Sequence, residues 1–245
     1  MLLAKLWDKV NNGIRRNIPA HTCFLSPREL EMARFLFGET SGLHTFGGYS
    51  DAERRMLCYL PEYLEESSLI DGNSPVICLR AIFYEGDTPT HRDFLGSLIG
   101  SGIAREAVGD ICVSKGQCDF FVTEEIAPYL LQNFTNAGRT KFRLTQISID
   151  EACIPHPEVK VIKDTLASLR LDGVVSSGFR ISRTLAAQAI GAGKVAIDGL
   201  SCDKPDKTVA EGSKISLRGS GKIKLEKVNG QTKKGRISVE IHRYL

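Results

Sequence analysis

The stretch from residue 76 to residue 149 restricts the fold most, because strand and helix patterns alternate along it in a fixed order. Runs of β-branched and aromatic residues predict strands, and helically spaced apolar residues predict the two helices between them. The predicted elements are a strand over 76–84, a helix from Thr90, strands over 110–114 and 118–123, a helix from Glu124 and a strand over 141–149. This β-α-β-β-α-β order predicts a ferredoxin-like middle domain over residues 75–152.

The residues before this stretch carry helical signals. A serine followed three residues later by glutamate is a capping-box pattern, and it occurs twice. At Ser26 it predicts one helix, and at Ser50 it predicts a second helix that runs through Leu60. Trp7 is predicted to anchor the first helix of the chain in the core. The fold class is therefore predicted as α+β, with an N-terminal helical domain over residues 1–74.

Charge is distributed unevenly along the chain. Residues 170–245 contain 15 basic and 7 acidic residues, a net of +8, whereas residues 1–169 contain 17 basic and 22 acidic residues, a net of −5. A basic segment beside an acidic remainder is typical of a polyanion-binding module. A helix from Ser182 and several short strands follow, which predicts a separate C-terminal domain over residues 159–245.

The cysteines and histidines favour a reduced protein without a metal. The seven cysteines are an odd number without a CxxC pair, which indicates buried thiols in the cytoplasm rather than a disulfide framework. No apolar run of about 18 residues and no signal-peptide pattern occurs. His21 and Cys23 lack further ligands nearby, and His44, His156 and His242 are isolated. No metal site and no cofactor is therefore predicted.

The C-terminal region carries basic residues and glycines in a recognisable order. The blocks are Arg170–Asp172, Arg180–Arg183, Gly193–Val195, Asp198–Gly199, Glu211–Ile215 and Arg218–Lys222. They resemble the S4 RNA-binding domain, although Asp198 stands where that family commonly has Asn. Ser182 is predicted to cap a helix whose N-terminus suits phosphate. The predicted RNA-binding residues of this domain are Arg180, Ser182, Arg183, Lys194, Lys204, Lys207, Arg218 and Lys222.

Further blocks extend the resemblance over nearly the whole chain. They are Phe46–Tyr49, Ala52–Arg55, His91–Leu98 and Gly109–Ile111. Together with the C-terminal region they resemble the YlmH-type S4-domain proteins of bacteria. The protein is expected to be a monomer, and the resemblance implies a non-enzymatic RNA-binding protein of the bacterial cytoplasm. It implies rRNA, tRNA and the large (50S) ribosomal subunit as partners, a role in translation quality control through rescue of stalled peptidyl-tRNA complexes, and a genetic link to cell division.

Two features of the middle domain leave alternatives open. His91 and Arg92 are predicted to contact RNA, against a purely structural role; His91 and Asp93 are not expected to form a catalytic pair, because residues two apart on a helix do not face each other. Phe120 and Phe121 lie on the strand where RRM-like domains stack bases, but strand alternation turns at least one of them into the core.

A basic stripe follows the last helix of the middle domain. Arg139, Lys141 and Arg143 form it, and Lys141 and Arg143 share one strand face. A solvated face is the alternative to an RNA contact.

No catalytic residue is predicted. Neither Gly191–Lys194 nor Gly221–Lys222 completes a phosphate-binding loop of the P-loop type. Arg170–Asp172 is similar to the catalytic loop of pseudouridine synthases, but it lies inside the S4 pattern. An RNA-modifying enzyme of that type and an adaptor protein linked to cell division are the alternative functions.

Overall fold

With side chains described from residue 8 onward, the computed structural model covers residues 2–38, 40–70, 74–155, 158–232 and 235–244. The chain forms two compact units, Met1–Pro155 and His156–Leu245. The division into domains over 1–74, 75–152 and 159–245 stays a prediction. Trp7 and His156, for which expectations were drawn from the sequence, lie outside the residues whose side chains the structure describes.

Helices and strands are mixed throughout the described residues, which confirms the α+β class. The α-helices are α1 Leu2–Arg16, α2 Pro27–Phe37, α3 His91–Gly100, α4 Ala127–Asn133, α5 Leu171–Phe179 and α6 Arg183–Gly191. The strands are β1 Ala20–His21, β2 Leu43–Phe46, β3 Met56–Tyr59, β4 Val76–Ile82, β5 Val108–Ser114, β6 Gln117–Thr123, β7 Asn136–Ala137, β8 Thr140–Lys141, β9 Arg143–Ile147, β10 Val159–Leu166, β11 Val195–Ile197, β12 Leu200–Ser201, β13 Lys214–Leu217, β14 Gly221–Gln231 and β15 Ile237–Tyr244. Short 3₁₀ helices lie at Glu66–Leu69, Arg105–Ala107, Glu124–Ile126 and Ile149–Glu151. Among the described residues, no helix has the length and apolar character that a membrane crossing requires.

The middle of the first unit is the predicted ferredoxin-like sheet. Its strand order is β5-β6-β4-β9, and all neighbouring strands are antiparallel. The first strand of the motif therefore lies between the third and the fourth, as the split β-α-β arrangement requires. Helices α3 and α4 cover one face, where Phe94 and Phe134 pack around Phe120 with ring centroids 6.3 and 6.0 Å away. The prediction for this region is confirmed.

The N-terminal part of the unit contains a small sheet besides its two helices. Its strand order is β1-β3-β2. The helix predicted from Ser50 through Leu60 is wrong, since strand β3 occupies Met56–Tyr59 and all four of its residues are buried. Alternate residues of β3 lie in two different apolar clusters, so in the sequence the strand is a continuous apolar run. Such a run has no hydrophobic periodicity by which a strand can be distinguished from a helix. The capping box at Ser26 is confirmed at the start of α2.

The second face of the ferredoxin-like sheet is covered within the same unit. Phe121 points to this face and is completely buried against Phe24 and Met56. Tyr49 lies over it with ring centroids 5.4 Å apart. Because Phe120 lies in the helix-side core and Phe121 in this one, neither ring is free to stack on a base. The hypothesis that one of them binds RNA is wrong.

The second unit is a six-stranded sheet with two helices. Its strand order is β10-β15-β14-β13-β11-β12, and α5 packs on it through Gly178, where an added Cβ would stand 2.4 Å from Ile223 Cδ1. The strands β11 and β12 turn at Asp198 and Gly199, which both have positive φ, +49° and +84°. The Asp198 carboxylate accepts a hydrogen bond from the Lys214 N–H at 2.8 Å. Asp therefore serves in this turn in place of the Asn common in S4 domains.

Candidate nucleic-acid interface

The turn between α5 and α6 presents the first group of predicted residues. Arg180 ends α5 in the left-handed conformation, with φ +56°, and is exposed. The Ser176 hydroxyl fixes the turn by donating to the Ile181 carbonyl at 2.7 Å. Ser182 then accepts a hydrogen bond from the Leu185 N–H at 3.2 Å. This confirms Ser182 as the cap of α6 and leaves that helix beginning beside two arginines, Arg180 and Arg183.

Arg183 is held by a buried carboxylate. Its Nη2 donates to both oxygens of Asp172, at 2.9 and 2.8 Å, while Arg170 approaches the same carboxylate at 3.4 Å. Burial disfavours the charged form of Asp172, but the hydrogen bonds from Arg183 and Arg170 outweigh it and hold the pKa of Asp172 below its usual value. The pair fixes the position of Arg183, whose side chain is still 58% exposed. Sequence reasoning missed this pair.

The turn that carries Lys204 and Lys207 packs on the start of α5. The Leu171 N–H donates to the Lys207 carbonyl at 2.8 Å, and the Asp172 N–H donates to the Pro205 carbonyl at 2.9 Å. These first amides of α5 are therefore satisfied by carbonyls and do not offer a phosphate site. The contacts place the lysine-bearing turn next to the Asp172–Arg183 pair.

The three remaining predicted residues, Lys194, Arg218 and Lys222, lie at one end of the sheet. The Arg218 N–H donates to the Lys194 carbonyl at 2.9 Å, and the Cys202 N–H donates to the Val195 carbonyl at 3.0 Å. Lys222 lies opposite Ser216 in the register of β13 and β14. Because β12 runs back along β11, the chain reaches Lys204 at the same end of the sheet.

Contacts thus link the segments that carry seven of the eight predicted residues of this unit, and Lys222 lies on the adjacent strand β14 opposite Ser216. Backbone contacts lead from Arg218 to Lys194, along the end of β12 to the Lys204–Lys207 turn, and from there to the start of α5 and Arg183. All eight residues are exposed. Asp203 and Asp206 are exposed in the same turn and offset the charge of its two lysines. We call this surface the basic face; it consists of Arg180, Ser182, Arg183, Lys194, Lys204, Lys207, Arg218 and Lys222.

The predicted pair His91 and Arg92 lies in the other unit, at the exposed start of α3. Asp93 forms a capping box with Thr90, whose N–H and hydroxyl both donate to the Asp93 carboxylate at 2.7 Å. Partial burial, and after it the positive charge of Arg105, lower the pKa of His91. Asp93 therefore acts as a cap and does not orient His91 as a base.

Asp110 joins two of the sequence blocks. Its carboxylate accepts hydrogen bonds from the Tyr49 hydroxyl at 2.8 Å and from the N–H groups of Glu53 and Arg54 at 2.7 and 3.1 Å. The Arg54 guanidinium donates to the carbonyls of Val108 and Phe24, each at 2.9 Å. These blocks therefore build the layer over Phe121.

The thiols and the acidic residues show no sign of metal chemistry among the residues that the structure describes. No group of three or more His, Cys, Asp or Glu side chains is placed to hold a metal ion there. All seven cysteines are free thiols, five of them buried. Burial raises the pKa of the Cys58 and Cys78 thiols to about 12. Such thiols are poor nucleophiles and fit the core.

The fold of the second unit and its basic face define the class: S4-domain RNA-binding proteins. A family model described as "S4 domain" matches residues 169–215. A second model, described as "Putative RNA-binding domain in YlmH", matches residues 84–151 in the first unit.

The comparison with curated proteins narrows the class. The chain is 34% identical over 224 residues to ribosome-associated protein quality control protein P2 of Bacillus subtilis (strain 168). The aligned region covers 91% of this chain and 86% of that protein. The chain therefore belongs to the YlmH family of S4-domain proteins. A solved structure, cell division protein ylmH from Streptococcus pneumoniae, matches with a TM-score of 0.52 over 63% of this chain and 93% of that chain. At 17% identity that match supports the fold alone.

Proposed function

We propose that the protein is a non-enzymatic RNA-binding protein that recognises structured rRNA and tRNA on the large ribosomal subunit. Its role would be the rescue of stalled peptidyl-tRNA complexes in ribosome-associated quality control. The protein acts as a monomer in the cytoplasm, where ribosomes work. The name of the Bacillus subtilis relative, a ribosome-associated quality control protein, supports the ribosomal part of this proposal.

The basic face carries the proposal. It combines exposed cations from four separate loops and turns on one compact α+β unit. Phosphate contacts of this kind supply affinity and orientation, and RNA helices are recognised largely by shape and backbone. Arg183 is positioned by Asp172 before any RNA arrives, so less side-chain entropy is lost on binding.

The arrangement gives no support to the enzyme alternative. A modifying enzyme of the pseudouridine-synthase type needs a carboxylate that the RNA base can reach. In the block that resembles its catalytic loop, Asp172 is buried and engaged by Arg183 and Arg170. Non-enzymatic binding therefore requires fewer additional assumptions.

The first test is sedimentation of the tagged protein from cell lysate through sucrose gradients at low and high salt. Co-migration with 50S particles that is lost at high salt supports the proposal, because phosphate contacts weaken with ionic strength. Migration at the top of the gradient at both salts contradicts it and favours an enzyme or an adaptor. In that event, modification of bulk RNA is the next assay.

Paired variants make the test specific to the basic face. The double variant Lys194→Gln, Arg218→Gln removes two exposed charges whose backbone groups are hydrogen-bonded to each other. The matched control is Lys160→Gln, Lys163→Gln on strand β10 at the opposite edge of the same sheet. We expect the first double variant to leave the 50S fractions and the control to remain in them. Equal behaviour of the two would contradict the assignment of the basic face.

A further inference from the structure

The first unit retains an uncovered strip of its ferredoxin-like sheet. Moving along β4 from the covered Phe121 region, the next row contains Arg80 and Asp119, joined by two hydrogen bonds of 2.8 and 2.7 Å. The segment after β9 lies over this row, because the Cys153 N–H and the Glu151 carbonyl bond to the same pair. The following row is not covered: Ile82 is 51% exposed.

The row that contains Ile82 crosses the whole sheet, and at its end on β5 the Ser114 hydroxyl lies 3.8 Å from the Cys153 sulfur of the covering segment. Ile82 lies between Gln117 on β6 and Arg143 on β9, and Gln117 lies opposite Ser114 on β5. Residues directly opposite each other on antiparallel strands share one face, so the Arg143 side chain stands beside Ile82. Arg143 is exposed, and among the residues that the structure describes its guanidinium has no hydrogen-bond or ion-pair partner.

Tyr84 extends the row by one aromatic ring. Phe83 turns into the helix-side core, so Tyr84 on its other side points the same way as Ile82. Tyr84 is 77% exposed. The ring is nonetheless held in place, because a Cβ added at Gly86 would stand 2.3 Å from Tyr84 Cε1, and the Asp87 N–H closes the turn onto the Tyr84 carbonyl at 2.9 Å.

A second exposed cation lies two residues before Arg143, on strand β8. Phe142 points into the helix-side core, with its centroid 5.5 Å from Phe94 and 5.1 Å from Phe134. Lys141 and Arg143 flank Phe142 and are both exposed. Alternation therefore directs both cations away from the helices, towards the side of Ile82 and Tyr84.

We propose that Ile82, Tyr84, Lys141 and Arg143 form a second RNA-binding strip, which stacks a base of single-stranded RNA on Tyr84 and binds its phosphates with the two cations. Exposed aromatic rings beside cations are the common platform for single-stranded nucleic acid. The matching family model, described as a putative RNA-binding domain, begins at residue 84. The strip deepens the proposed function by adding a single-stranded contact to the basic face, which suits structured RNA.

The test measures binding of the full-length protein to a fluorescein-labelled decamer of uridylate. Tyr84→Ala is expected to weaken binding at least about fivefold, and Tyr84→Phe to leave it unchanged, because stacking needs the ring and not the hydroxyl. Arg143→Gln is expected to weaken binding and to make its salt dependence shallower. Tyr129→Ala on α4 and Arg16→Gln on α1 are the controls, an exposed tyrosine on the helix side and an exposed arginine away from the strip.

Cross-linking with 4-thiouridine in the same decamer locates the contact. Cross-links in the peptide that contains Tyr84 support the strip; cross-links confined to residues 158–245 overturn it. Equal affinities of Tyr84→Ala and Tyr129→Ala, or no binding of the decamer by the unaltered protein, also overturn it. The gradient experiment tests the proposed function independently. If the protein co-migrates with 50S particles but does not bind the decamer, the proposed function is supported and the strip is contradicted. If the protein binds the decamer through Tyr84 but does not co-migrate with 50S particles, the strip is supported and the proposed function is contradicted.

Discussion

Arg183 is a member of the basic face that also supports the fold. Its two hydrogen bonds satisfy a carboxylate whose side chain is only 10% exposed. Arg183→Gln leaves Asp172 with Arg170 at 3.4 Å as its remaining cationic partner. We expect a loss of about 1–3 kcal/mol in the free energy of unfolding, measured by urea titration.

The matched control for this variant is Arg180→Gln. Arg180 is another exposed cation of the same turn, and in the described structure it does not bond to Asp172. It is expected to lose less than about 0.5 kcal/mol, as surface substitutions do. If both variants unfold at the same urea concentration, the Asp172 pair has no structural role.

The depressed pKa of Asp172 gives this pair a pH signature. A carboxyl whose pKa is lower in the folded state contributes stability above its unfolded value, near 3.8, and loses that contribution as the pH falls through the folded value. The stability difference between the unaltered protein and Arg183→Gln is therefore expected to shrink from about pH 6 to about pH 3. Urea unfolding at several pH values measures it. A difference that does not change with pH would assign the effect to packing of the Arg183 side chain instead.

Local signals explain which single residues could be predicted from the sequence. The caps Ser26, Thr90 and Ser182 each bond to a group three residues away, so a short pattern reveals them. The bond between Asp172 and Arg183 spans eleven positions across two helices, and it depends on how those helices pack. No local pattern contains that information, which is why the sequence suggested Arg183 only as an RNA contact.

Among the elements, the strands of the ferredoxin-like sheet were predicted and strand β3 was not. Strand β4 is preceded by a clear break at Asp71–Pro75, so its position follows from the sequence even though its residues are buried on both faces. Strand β3 is buried on both faces, and the serine–glutamate pattern before it is a turn rather than a helix start. The covering of Phe121 likewise arises from long-range packing of the N-terminal segment, which periodicity does not encode.

The turn before β3 makes the covering layer sensitive to a single methyl group. Gly48 has a φ of +96°, and a Cβ there would stand 2.4 Å from the Phe121 ring. Gly48→Ala is therefore expected to lower the free energy of unfolding by about 2 kcal/mol or more, through backbone strain and overpacking. Thermal unfolding of the purified protein measures this change.

Gly96 is the matched control for Gly48. It lies in the middle of α3, is exposed, and has no atom within 4 Å of an added Cβ. Gly96→Ala is expected to raise stability by about 0.5–1 kcal/mol, because alanine favours the helix. A neutral Gly48→Ala would mean that the layer over Phe121 adapts, and that the sheet face is not as closed as its packing indicates.

Over the whole molecule, the two parts of the sequence differ in the sign of their net charge. Residues 170–245 carry a net charge of +8, which attracts RNA, whereas residues 1–169 carry −5. Any RNA contact in the first unit must therefore arise from a local arrangement such as the strip at Tyr84, and not from overall charge. The sequence predicts the charge division, but it does not reveal which part of the ferredoxin-like sheet stays open.

This division predicts how binding to structured RNA responds to salt. If the basic face neutralises about 4–6 phosphates, a log–log plot of affinity against salt concentration should have a slope of roughly −3 to −5. Removing Lys194 and Arg218 together should make the slope shallower by about 1.5–2, because two phosphate contacts are lost. Filter binding over a range of salt concentrations, with the Lys160 and Lys163 double variant as control, measures both slopes. If affinity fell but the slope stayed the same, Lys194 and Arg218 would act by shaping the surface, and phosphate binding would reside on the remaining cations of the basic face.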